Sequence, residues 1–116
     1  IGMHVAAALL ARGERVIGID NFTPYYSVAL KHARVAHLET LAEGRLDFLT
    51  VDFGDAAALD AALANHAFDR IVHLGAQPGV RYSLENPLAY VHSNITGHVN
   101  ILELARHRSL RHLVYA

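Results

Sequence analysis

A chain of 116 residues can build one small domain with a core, but not separate cofactor and substrate domains. It is 53% hydrophobic and 18% charged with a net charge of −1, which argues against disorder and against a basic nucleic-acid-binding surface. Without cysteine there are no disulfides, thiolate metal sites or cysteine nucleophile, a reducing cytoplasm is compatible, and no apolar run reaches the roughly 18 residues of a membrane span.

Ile1-Gly2-Met3-His4 has no initiator methionine ahead of it and no charged or apolar leader. Leu113-Val114-Tyr115-Ala116 is an apolar run with no turn residue after it, so the chain is expected to be a piece of a longer protein. Residues 2–12 predict a helix with Val5, Ala6, Leu9 and Leu10 on one face and Gly13 in a left-handed cap. Val16–Asp20 is a short β-branched strand ending in a carboxylate. A second helix fits 27–43, with Ser27 as N-cap, Leu30, Ala33, His37 or Leu38 and Leu41 inward, and Gly44 closing it. Residues 46–53 are nearly all apolar, the pattern of a strand covered on both faces. Asp55 caps a third helix to about residue 66 with Leu59, Ala62 and Leu63 inward, and 70–76 is the next strand. After a turn-rich loop over 77–86, Asn86-Pro87 opens a long helix to about residue 107, along which Leu88, Val91, Ile95, Val99 and Leu102 repeat at helical spacing. A strand over 112–116 follows. The alternation predicts the α/β class: a partial Rossmann fold in which residues 1–116 form a doubly wound parallel sheet of about four strands with helices on both faces.

In such sheets ligands bind outside the carboxyl ends of the strands, so the residues just past each strand carry the functional reading. Asp20 ends the second strand of the unit, 18 residues after Gly2. A carboxylate about 20 residues beyond a glycine turn accepts hydrogen bonds from adenosine ribose hydroxyls and repels a 2′-phosphate, which favours NAD over NADP. The other reading of Asp20 is a surface carboxylate in a turn before Asn21. Gly2 stands where the third glycine of a G-x-x-G-x-x-G turn would fall, where a missing Cβ lets helix and strand pack closely, although any helix start can carry a glycine. Asp52, followed by Phe53, either meets an adenine amino group or caps the next helix. Leu74, Gly75, Ala76 and Gln77 follow the fourth strand, and the small residues among them let backbone approach a flat ligand or a tightly packed helix.

These residues also carry a resemblance. Val16-Ile17-Gly18-Ile19-Asp20-Asn21-Phe22, Tyr25-Tyr26, Val51-Asp52-Phe53, the run His73-Leu74-Gly75-Ala76-Gln77-Pro78-Gly79-Val80-Arg81-Tyr82-Ser83, Asn86-Pro87 and Asn94-Ile95-Thr96-Gly97 together resemble the NAD-dependent epimerase/dehydratase family, the extended short-chain dehydrogenases/reductases. The resemblance covers the whole chain, and residues 76–83 are more similar to the uronate 4-epimerases than to the UDP-glucose epimerases or the dehydratases. It implies NAD as cofactor, with Asp20, Asn21 and the adjoining Phe22 at the adenosine ribose, Asp52 and Phe53 bordering the adenine, and Leu74, Gly75, Ala76 and Gln77 lining the cofactor. Ser93 or Asn94 would approach NAD from the long helix, unless Asn94 braces the sheet; Arg81 would face a sugar-nucleotide anion or be an exposed structural arginine.

The resemblance further implies a homodimer paired through the helix from Pro87 and the helix after the next turn, acting on a UDP-uronate through a 4-keto sugar; the composition points to no nucleic-acid or membrane partner, and the expected location is cytoplasmic. Alternatives are a nucleotide-sugar 4,6-dehydratase, a uronate decarboxylase, or a non-catalytic dinucleotide-sensing Rossmann protein. The family's catalytic pair is a Tyr-x-x-x-Lys, whose spacing puts both side chains on one helix face so that the ammonium lowers the tyrosine pKa. The single lysine, Lys31, has Ser27 four residues before it, so no catalytic residue is expected within this chain. Nine histidines form no H-x-x-x-H pair and join no carboxylate cluster, so no metal site is expected.

Overall fold

A computed structural model describes all of residues 1–116. The elements in chain order are α1 Gly2–Ala11, β1 Val16–Asp20, α2 Val28–Ala42, β2 Leu46–Thr50, α3 Ala56–Leu63, β3 Arg70–His73, α4 Tyr82–Glu85, α5 Pro87–Tyr90, a π-helical segment Val91–Gly97, α6 His98–His107 and β4 His112–Tyr115. They fall into two units, Ile1–Val51 and Asp52–Ala116.

In the first unit β1 and β2 pair in parallel, from Val16 opposite Leu46 to Asp20 opposite Thr50. Gly18 faces Phe48, and a Cβ at Gly18 would lie 2.7 Å from that ring, so glycine here makes room for the aromatic. The core is Leu10, Leu38 and Ala42, with Met3, Ala6, Ala7, Val16 and Leu46 packed around it; each buried leucine contributes about 1.5–3 kcal/mol. α1 ends before Gly13, whose φ of +84° is the expected left-handed cap, and Arg45 Nη1 donates to the Leu10 carbonyl at 2.8 Å, satisfying a C-terminal acceptor.

The inward face of α2 agrees with the expected one at Leu38 and differs from it elsewhere. Leu30 and Leu41 are exposed, whereas Leu38 and Ala42 are buried, with Lys31 and Val35 half-buried on the preceding turns of the same face. A count of apolar positions cannot select a face that contains a lysine. Lys31 is tolerated there because its ammonium reaches Asp20 at 3.1 Å.

In the second unit β3 and β4 pair in parallel, from Arg70 opposite His112 to His73 opposite Tyr115. Asp55 caps α3 by accepting from Ala58 N at 3.0 Å, and Leu59 and Leu63 are buried on it. Arg108 closes the end of α3, donating to the Leu63 and His66 carbonyls at 2.9 and 3.0 Å with its guanidinium 4.9 Å from the Phe68 ring centroid. The loop expected over 77–86 contains the short helix α4.

The long helix is found from Pro87 to His107, but its apolar stripe points outward: Leu88, Ile95 and Val99 are 75%, 60% and 50% exposed, and Val91 and Leu102 are exposed as well. The buried side is Gly97, Ile101 and Leu104. That side also carries Asn94 and Asn100, whose amides bond backbone groups, so hydrophobicity alone selects the opposite stripe.

All strand pairings are parallel, and the strands form two two-stranded sheets, β1-β2 and β3-β4. In the 3-2-1-4-5 order of a Rossmann unit the second strand pairs with the third and the fourth with the fifth. With Val16–Asp20 read as the second strand, these are the two pairings observed. No helix is long and apolar enough to cross a membrane.

Candidate functional site

Strands β2 and β3 stop at Thr50 and His73, short of the expected 53 and 76, which leaves Asp52-Phe53 and Leu74-Gly75-Ala76-Gln77 as segments just past the strand ends. Asp20 is the last residue of β1. Its Oδ1 accepts from Phe22 N at 2.7 Å and from Lys31 Nζ at 3.1 Å, and Asn21 Oδ1 accepts from Thr23 N at 3.3 Å. Two consecutive Asx-type turns thus fold the chain back at the strand end. Phe22 adopts φ +52°, an uncommon conformation for a large side chain, while its ring stacks on His32 at 4.2 Å. The Phe22 side chain therefore belongs to the packing of the unit, and its backbone shapes the turn. A carboxylate offers about four acceptor sites, so the two donors on Asp20 orient it without saturating it.

Lys31 is the residue here that sequence reasoning missed. It has no place in a Tyr-x-x-x-Lys pair, yet its side chain is 17% exposed and turned toward Asp20. Gly2 is the first residue of α1.

In the second unit the helical stretch 90–100 pins the segments that follow the strands. Tyr90 donates from its hydroxyl to the Pro78 carbonyl at 2.8 Å and also meets that of Gly79. Asn94 makes a reciprocal pair with the Gln77 backbone, accepting from N at 2.7 Å and donating to O at 3.0 Å. Asn100 donates to the Phe53 carbonyl at 2.9 Å. His92 Nε2 lies 3.1 Å from Asp52 Oδ2, while Oδ1 accepts from Gly54 N at 2.7 Å. Of these anchors only Asn94 stands out in the sequence, and its amide braces the loop after β3. Ser93 is half-buried and Arg81 is exposed at the start of α4.

The Phe53 ring packs between two glycines, with Cβ atoms on Gly75 and Gly97 falling 2.7 and 2.4 Å from it. His73 meets the same ring edge-on at 5.2 Å and stacks on His98 at 5.3 Å. Gly75, Ala76, Asn94, His73, His98 and Tyr115 line a cavity of about 280 Å³ beside the ends of β3 and β4. Its polar and apolar walls and Cβ-less rim suit part of a flat ligand.

His73 is 8% exposed. Burial, reinforced by the neighbouring His98, holds its imidazole below the ordinary value of 6.5. The unfolded chain then binds more protons than the folded one once pH drops below that value, so stability falls as pH falls from 6.5 toward the folded-state pKa. Urea midpoints measured from about pH 7.5 to about pH 5.5 should decline more steeply for the wild type than for His73→Phe.

The parallel pairings and the residues closing each strand define an α/β protein of the Rossmann type. The chain belongs to the GDP-mannose 4,6 dehydratase family, whose family model matches residues 1–115. It is 47% identical over 116 residues to a probable UDP-glucuronate 4-epimerase of Rhizobium meliloti, covering 100% of this chain and 33% of that protein. It is likewise 47% identical over 110 residues to UDP-glucuronate 4-epimerase 3 of Arabidopsis thaliana, covering 91% of this chain and 24% of the relative. The chain thus spans a third or less of the length of these relatives. Among solved structures, a UDP-glucose-4-epimerase from Stenotrophomonas maltophila with bound NAD and formylated UDP-arabinopyranose superposes with a TM-score of 0.81 at 24% identity, covering 98% of this chain and 32% of that one. The NAD complex of UDP-glucose 4-epimerase from Thermus thermophilus gives a TM-score of 0.75 at 26% identity, covering 97% and 32%. The resemblance to epimerases and dehydratases read from the sequence is borne out.

Proposed function

We propose that this chain is the NAD-binding part of a cytoplasmic nucleotide-sugar epimerase that interconverts UDP-glucuronate and UDP-galacturonate through a 4-keto intermediate. The observation that carries the reading is Asp20, an ordered carboxylate closing β1 and backed by the Lys31 ammonium at 3.1 Å. It suits a pair of ribose hydroxyls and disfavours a 2′-phosphate. The residues fit a dinucleotide in a second respect, since Gly75 and Ala76 form a low rim on a cavity.

In this reading Asp20 and Asn21 hold the adenosine ribose on the turn shaped by Phe22. Asp52 accepts from the adenine amino group beside Phe53, and Leu74, Gly75, Ala76 and Gln77 line the dinucleotide. Asn94 acts by fixing the Gln77 backbone, with Ser93 alongside, and Arg81 offers its guanidinium to the sugar-nucleotide anion. Gly2, at the start of α1, would approach the pyrophosphate. Bound NAD supplies a hydride acceptor for sugar C4 that can return the hydride to either face.

Incubation of the intact protein with UDP-glucuronate should give UDP-galacturonate without added cofactor. Loss of water from the sugar would mark a dehydratase instead, and an absolute need for NADPH would overturn the role of Asp20.

The reading includes a homodimer, and the outward stripe Leu88, Val91, Ile95, Val99 and Leu102 supplies an apolar face for a second copy. An Ile95→Asp, Val99→Asp double variant should sediment as a monomer where the wild type sediments as a dimer; a dimer in both would remove this helix from the interface.

A further inference from the structure

We infer that His92 is a positioning residue that aims Asp52 at the amino group of the adenine, and thereby helps the site tell an amino purine from a keto purine. This rests on the NAD reading above. Asp52 lies past the end of β2, outside any regular element, so its side-chain direction must be set by contacts. One is local: Gly54 N donates to Oδ1 at 2.7 Å. Another crosses forty positions of sequence, from His92 Nε2 to Oδ2 at 3.1 Å. An ionised carboxylate only accepts, so Nε2 carries the hydrogen in this contact. Together the two donors restrain the plane of the carboxylate from both of its oxygens.

The surroundings hold the imidazole in place. A Cβ on Gly54 would fall 2.2 Å from His92 Nε2, so the ring lies directly over that glycine. His92 also sits in the π-helical segment Val91–Gly97, an irregularity that recurs at functional sites. Two residues further on, Asn94 grips Gln77, so the same segment serves two of the strand-end stretches assigned to the cofactor. Held in this way, Asp52 presents acceptor lone pairs to a purine amino group. Toward a purine carbonyl at the same position it is repulsive, because neither group can donate.

The test compares NAD with nicotinamide hypoxanthine dinucleotide, in which that amino group is a carbonyl, by calorimetric titration of the intact protein stripped of cofactor. The wild type should prefer NAD. His92→Ala should weaken NAD about three- to tenfold while leaving the hypoxanthine dinucleotide within about twofold, so that the preference collapses. Gly54→Ala, whose added methyl displaces the imidazole, should do the same, and His92→Gln, which restores an N–H donor at similar reach, should recover most of the preference. If His92→Ala weakens both dinucleotides equally, or neither, the positioning role is refuted while the NAD reading stands. If the wild type binds neither dinucleotide, both readings fall.

Discussion

Replacing Asp20 by serine in the intact protein is expected to weaken NAD about 100-fold, on the scale of two lost charge-assisted hydrogen bonds, and to bring NADP within reach of the site. Two effects combine. The ribose hydroxyls lose their ionised acceptor, and the charge that repels a 2′-phosphate is gone. Lys31 then has no carboxylate beside it, and its ammonium, now 3.1 Å from Asp20 Oδ1, becomes a phosphate partner. The double variant Asp20→Ser, Lys31→Met should therefore bind both cofactors poorly. Calorimetry with each dinucleotide on the wild type, Asp20→Ser, Lys31→Met and the double variant separates the terms, and circular dichroism checks that α2 stays folded. An Asp20→Ser variant still preferring NAD by the wild-type ratio would show that the carboxylate is a turn residue only.

Much of the fold was legible because local signals and tertiary roles agree in it. Ser27 and Asp55 read as N-caps and do cap; Gly13 read as a left-handed terminus and is one. Asp20, Asp52 and Gly75 were legible as strand-end residues because the short β-branched and apolar runs before them are unambiguous strands. The inward faces of α2 and of the long helix were not, for one physical reason. Each turns toward the protein polar side chains that have specific partners: half-buried Lys31 with Asp20, exposed Asn94 with Gln77 and half-buried Asn100 with Phe53. Hydrophobic periodicity assigns such residues outward, because their polarity is visible in the sequence and their partner is not. His92 was passed over likewise, as one of nine histidines. Its significance depends on a residue forty positions earlier, a distance no local pattern spans. The π-helical turn that carries it has no propensity signature comparable with that of a cap.

The packing of Phe53 sets up the largest expected change in stability. Its ring fills the space left by two absent Cβ atoms, and Gly97 is buried with its Cβ direction 2.4 Å from the ring and 3.3 Å from the His92 carbonyl oxygen. Backbone cannot yield as a flexible side chain can, so Gly97→Val must push the ring aside. The ring in turn is boxed by Gly75 and by the edge-on imidazole of His73. Overpacking of this kind costs about 3 kcal/mol, which should appear as a drop of several degrees in the unfolding temperature of the intact protein. Phe53→Ala alone leaves a cavity and should destabilise by a comparable amount. The double variant Gly97→Val, Phe53→Ala is then expected to be more stable than the sum of the two losses predicts, since the valine occupies part of the volume the ring vacates. Strict additivity would mean that Gly97 is required by the backbone of the π-helical turn itself, and that the contact with Phe53 is incidental.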